Sequence, residues 1–151
     1  MFTRSGSLTA ADQRTTRVIP FQVPKGTTAL NIHLSYDPLH TPGAELPQQI
    51  SMTVYDPSGF AAEINRPTMF MERGAVLGSQ PSPGLAPIAI TPGAWSVFLS
   101  THRIVDTTVN YTLTITFSSE AASSIPALPE PAHPADAGAG WYHGDLHAHT
   151  W

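Results

Sequence analysis

The chain has 151 residues, a formal net charge of −4 with histidines neutral, 41% hydrophobic residues and 12% charged residues. That length supports one domain with a real core, and the charged share is about half the usual ~25%. Lys and Arg together number 7, with Lys25 the single lysine, so no basic run exists to neutralise a phosphate backbone and nucleic acid is not an expected partner; with 0 cysteines, disulfides, thiolate metal sites and cysteine nucleophiles are excluded.

The opening stretch MFTRSGSLTAADQRTT has no apolar segment of the signal-peptide kind. No stretch approaches the ~20 apolar residues of a membrane span. A cytoplasmic protein with no membrane partner is the expectation. RVIPFQV (17–23) reads as a strand that Pro20 confines to an edge or a bulge, and VPKG (23–26) reads as a turn. In LNIHLSY, Leu30, Ile32, Leu34 and Tyr36 share one face, with Asn31, His33 and Ser35 on the other. ISMTVY sets Ile50, Met52 and Val54 against Ser51, Thr53 and Tyr55, and YDPSG (55–59) then turns the chain. Residues 60–77 carry one or two further strands of weaker regularity. WSVFLS aligns Trp95, Val97 and Leu99, and VNYTLTITF aligns Val109, Tyr111, Leu113, Ile115 and Phe117. A period of two is the mark of a strand with one buried face. SYDPLHTPGAELP and GSQPSPGLAPIAITPGAW are longer loops, and no segment shows a 3.6-residue period.

The expected fold is therefore all-β: an antiparallel β-sandwich, jelly-roll-like, of about seven or eight strands over residues 1–118. Trp95 shares its parity with Val97 and Leu99, which places it in the core rather than on a sugar-binding surface. Asn110-Tyr111-Thr112 matches a glycosylation acceptor pattern, but it falls within a strand and reads as chance. Residues 119–140, SEAASSIPALPEPAHPADAGAG, are then mostly Ala, Pro, Ser and Gly, with almost nothing to bury. They read as a linker with an extended course of ~3.1 Å per residue where proline dominates.

Residues 141–151, WYHGDLHAHTW, follow that linker. Taken as a strand, they place His143, Asp145, His147 and His149 on one face and Tyr142, Leu146 and Ala148 on the other. His147 and His149, two residues apart, can then offer imidazole nitrogens to one metal centre. Asp145 can orient a histidine or approach the metal itself. His143 precedes Gly144 and reads as a surface residue. His33 lies on a polar strand face, and His40, His102 and His133 fall in or near loops without forming a group. The chain has no G-x-S-x-G elbow, P-loop or dinucleotide fingerprint.

The string GDLHAHT resembles the opening motif of the PHP (polymerase and histidinol phosphatase) superfamily of metal-dependent hydrolases. In that family a D-x-H-x-H-T stretch forms the first strand of a distorted (β/α)7 barrel. The upstream region, with DPSGF and PSPGLAPIAITPGAWSVFLS among its segments, is similar to the β-domain that precedes the barrel in CehA/McbA-like PHP metallohydrolases. The resemblance implies that His147 and His149 are metal ligands and that Asp145 supports them. It implies divalent metal cofactors (Zn, Mn or Fe) and a metal-bound hydroxide that attacks a phosphoester or another ester of a small molecule. The family's further histidines, its glutamate and its late D-x-H do not occur in these residues. The expectation is an N-terminal fragment whose partner is the C-terminal barrel of the same polypeptide, and which is inactive alone. The rival expectation is a stand-alone β-sandwich, serving as a binding or assembly module, whose histidine tail is incidental.

Overall fold

The computed structural model describes residues 1–40, 43, 45–64, 72–105 and 108–120. In chain order these form β1 (Phe2–Leu8), a 3-10 turn (Ala10–Asp12), β2 (Thr16–Val23), β3 (Ala29–Asp37), β4 (Gln49–Asp56), β5 (Gly59–Ile64), β6 (Glu72–Gly78), β7 (Gly93–Arg103) and β8 (Val109–Ser118). There is no α-helix among the described residues, and so none long and apolar enough to cross a membrane. The linker and motif segments, 119–140 and 141–151, lie outside the described residues apart from Ser119 and Glu120.

The strands form two four-stranded sheets with the orders β1-β8-β3-β6 and β2-β7-β4-β5. Every pairing within them is antiparallel. The pairs β1·β8, β2·β7, β3·β6 and β4·β5 are successive rungs of one long antiparallel ribbon folded at the β4–β5 turn. Two further pairings, β3·β8 and β4·β7, roll that ribbon into two sheets. Such a rolled ribbon is the jelly-roll arrangement of a β-sandwich.

The alternation in the sequence is realised as burial. Leu30, Ile32, Leu34 and Tyr36 of β3 are buried, as are Ile50, Met52 and Val54 of β4. Trp95, Val97 and Leu99 of β7 join Val109, Tyr111, Leu113 and Ile115 of β8 in the same apolar cluster, so both sheets contribute to one core. Phe117 is half-buried at its margin. Trp95 is 2% exposed, and its indole N–H donates to the Thr91 carbonyl at 2.8 Å, which satisfies the one polar atom that its burial would otherwise strand. Phe21 packs between Phe2 and Trp95, with ring centroids 5.8 and 6.3 Å away, and so ties the first strand of one sheet to the interior of the other.

Buried polar groups lock the connections. Thr101, 1% exposed, donates to the carbonyls of Asp12 and Thr15, which pins the β1–β2 connection onto β7. Gln48 is fully buried, and its side-chain oxygen accepts from the Val105 N–H at 2.7 Å. Beyond β8, Thr28 fastens the chain: its backbone N–H donates to the Ser118 carbonyl at 2.7 Å and its hydroxyl to the Glu120 carbonyl at 2.6 Å.

Three elements differ from, or sharpen, the sequence reading. β2 is an edge strand, one of the two placements that Pro20 allows, because a missing N–H is tolerated on a strand that has an unpaired side. β1 was not anticipated. Its inward positions are Phe2, Arg4, Gly6 and Leu8, and an arginine and a glycine among four residues erase the apolar alternation. His102 belongs to β7 rather than to a loop, because pairing with β4 continues to Gln49↔Arg103.

Truncation of Trp95 tests the core directly. Trp95→Ala is expected to lower unfolding stability by about 3–5 kcal/mol, read from urea denaturation. A loss below ~1 kcal/mol contradicts the packing described.

Candidate functional site

Asp145, His147 and His149, the residues with metal-site spacing, lie outside the described residues, as do His143 and His133. Among the described residues no group of three or more His, Cys, Asp or Glu side chains is placed to hold a metal ion. His33 stands on β3 and is half-buried, while His40 follows that strand and is exposed. His102 is exposed on the outer face of β7, where its Nε2 lies 2.8 Å from the hydroxyl of Ser51 on the neighbouring β4. That is the distance between a nucleophile and its base. No carboxylate ion-pairs with His102 among the described residues, so the third member that would orient a base is lacking there. The contact reads as a cross-strand hydrogen bond that satisfies Ser51, which is only 4% exposed.

The described residues form a concavity where the edge strands of the two sheets face each other. On β1, the register Phe2↔Ile115, Arg4↔Leu113 and Gly6↔Tyr111 puts Phe2, Arg4 and Gly6 on the inward side. On β2, Arg17↔Leu99 and Ile19↔Val97 do the same for Arg17 and Ile19. A groove of about 430 Å³ lies between the strands, lined by these five residues with Ser5, Val18, Pro20 and Tyr111. Gly6 is required here by space. A Cβ at that position would sit 2.7 Å from the Tyr111 hydroxyl oxygen, so only glycine lets the phenol ring lie against the backbone of β1.

Arg17 is held from three sides. It donates to the Ser7 carbonyl at 3.1 Å and to Asp12 Oδ1 at 3.2 Å, and its guanidinium carbon lies 5.9 Å from the centroid of the Tyr111 ring. The Tyr111 hydroxyl first, and Asp12 after it, raise the Arg17 pKa, so the groove keeps this positive charge at every ordinary pH. Asp12 closes the 3-10 turn, accepting from the Thr9 N–H at 2.8 Å and the Thr9 hydroxyl at 3.1 Å. The Thr9 backbone bond is the main cause that lowers the Asp12 pKa, with Arg17 adding to it. Arg4 is exposed and makes no ion pair among the described residues. No carboxylate lines the groove itself.

The outer face of the second sheet carries a separate aromatic run. Tyr55 packs against Phe98 at 4.6 Å and edge-on to Phe60 at 6.1 Å between centroids, leaving Phe60 64% exposed. The groove was not foreseen from the sequence. Its signal is the inward parity of Arg4 and Arg17, which exists only once each strand's partner and register are known. No protein-family model matches the chain, and no curated protein matches it.

The Asp12 shift sets a pH dependence. A carboxylate with a lowered folded-state pKa adds stability above its unfolded value, about 3.9, and that stability is lost as pH falls through the folded value. Asp56 acts in the same direction, because the Ser58 hydroxyl bonds its carboxylate. Asp12→Asn is therefore expected to be less stable than the wild type at pH 6, with the gap narrowing as pH falls below about 3.9, read by urea denaturation across that range.

Proposed function

We propose that residues 1–118 are the accessory β-domain of a PHP-type metal-dependent hydrolase and that residues 141–151 open its catalytic domain. The observation that carries this reading is the string Asp145-Leu146-His147-Ala148-His149-Thr150, set beyond a Pro/Ala/Ser/Gly linker. The β-sandwich supports it, because an all-β unit ahead of the motif is the domain order of the CehA/McbA-like members. In this reading His147 and His149 hold a divalent metal, and neutral imidazole suits Zn, Mn or Fe. Asp145 fixes the orientation of a histidine ring. A metal bound there supplies Lewis acidity to an ester oxygen and a lowered pKa to water. Two imidazoles fall short of the three protein ligands usual at a catalytic zinc, so the remaining donors come from the C-terminal barrel of the same polypeptide. The substrate is a small-molecule ester, with phosphoesters first, and the location is cytoplasmic.

The test uses the protein translated from the complete reading frame that holds this sequence. It is expected to hydrolyse bis(p-nitrophenyl) phosphate or p-nitrophenyl acetate only with added Zn, Mn or Fe. His147→Ala or His149→Ala should lower kcat/KM by at least about 100-fold, and Asp145→Asn by about 10–100-fold. The 151-residue chain alone should show no such activity. Unchanged activity in both histidine variants, or a reading frame that encodes no further histidine-rich barrel, refutes the proposal. In that event a stand-alone binding module becomes the better reading, and the groove between β1 and β2 is the observation that favours it.

A further inference from the structure

The structure assigns a small-molecule binding site to the groove between β1 and β2, with an amphipathic organic carboxylate as its ligand: a carboxylate held by Arg4 and Arg17 and an apolar body laid on Phe2, Ile19 and Pro20. This inference stands apart from the hydrolase reading, since it uses none of residues 121–151.

Four observations carry it. The first is size. At about 430 Å³ the groove falls within the roughly 300–1,000 Å³ typical of small-molecule sites. The second is charge. Two arginines line the groove and no carboxylate residue does, on a chain whose formal net charge is −4. Asp12, at the Arg17 end, cancels one of those charges and leaves the Arg4 charge uncompensated among the described residues. The third is partition. Phe2, Val18, Ile19 and Pro20 line the same space as the cations, so an ion with no apolar part leaves that wall wet and an apolar molecule with no charge leaves Arg4 unmatched. The fourth is orientation. Arg17 is anchored by Ser7 and Asp12 before any ligand arrives, so little side-chain entropy remains to be lost on binding. The planar fork of an arginine matches a carboxylate through paired N–H donors.

A competing explanation exists for Arg4. An inward-pointing charge on an edge strand deters pairing with another chain. That role asks only that the charge be present. It does not ask for a second anchored arginine, an apolar wall or a glycine that seats Tyr111 at the floor.

The experiment is an amide chemical-shift titration of the 151-residue chain with hexanoate, with hexan-1-ol and with inorganic phosphate. The expected result is saturable shifts at Gly6, Ile19 and Tyr111 with hexanoate, with hexan-1-ol and phosphate each at least about tenfold weaker. Arg4 is exposed and unpaired, so Arg4→Gln should leave the urea midpoint unchanged. It should weaken hexanoate about tenfold, the scale of one charge-assisted contact, without altering hexan-1-ol. Absence of saturable shifts at these residues overturns the assignment. So does phosphate binding as tightly as hexanoate, which marks a bare ion site, or hexan-1-ol binding as tightly, which marks a merely greasy one. Equal hexanoate affinity in a folded Arg4→Gln variant overturns it as well. The three-ligand comparison needs no variant and decides the question even if Arg4→Gln does not fold.

Discussion

The pairing of β3 with β8 is the constraint on which the rest of the structure depends. It runs without interruption from Ala29↔Ser118 to Asp37↔Asn110, joining segments that lie far apart in the chain. Without it the antiparallel ribbon stays an open hairpin with one wet face. With it, β8 becomes a central strand between β1 and β3, and Leu113 and Ile115 are set beside Leu34 and Ile32. Closing so long a loop carries a large entropic cost before any contact is made. The burial of eight inward side chains on these two strands, each worth about 1.5–3 kcal/mol, is the scale of gain that offsets it. Such non-local pairing also implies slow folding relative to a helical bundle of the same length.

That closure has a lateral consequence. A rolled ribbon of eight strands leaves sheet edges, and two of them, β1 and β2, face each other at the same side of the sandwich. Edge strands are usually protected by prolines, charges or short length. Here Pro20 and Arg17 sit on β2 and Arg4 on β1, so protection and a groove arise from the same residues. The space between the sheets does not close there, because the inward positions hold long charged side chains and a glycine rather than apolar fillers. Arg17 links this edge to the turn at Asp12, and Thr101 links that turn to β7, so the groove's geometry is tied to the core.

The chemistry of the motif and the chemistry of the groove are different in kind. His147 and His149 bring neutral imidazole nitrogens in a spacing suited to a metal. Arg4 and Arg17 bring permanent cations beside apolar surface, suited to an organic anion. The proposed binding groove on the sandwich and the proposed catalytic domain downstream are compatible within one polypeptide, and neither needs the other to exist.

By itself the sequence determined the class of fold and most of its strands. Alternation in LNIHLSY, ISMTVY, WSVFLS and VNYTLTITF marks which side chains are buried, because a strand with one covered face must repeat every two residues. It also narrowed β2 to an edge or a bulge through Pro20 and singled out Asp145, His147 and His149 by their spacing and the motif around them. What it could not determine was anything that depends on partnership between distant segments. β1 was hidden because Arg4 and Gly6 occupy inward positions, and an inward arginine is intelligible only at an open edge beside another strand. The Ser51–His102 contact depends on the register of β4 against β7. The groove depends on two sheet edges meeting, which follows from how the ribbon rolls. Local periodicity records which face of a strand is buried, and only tertiary closure decides what that face meets.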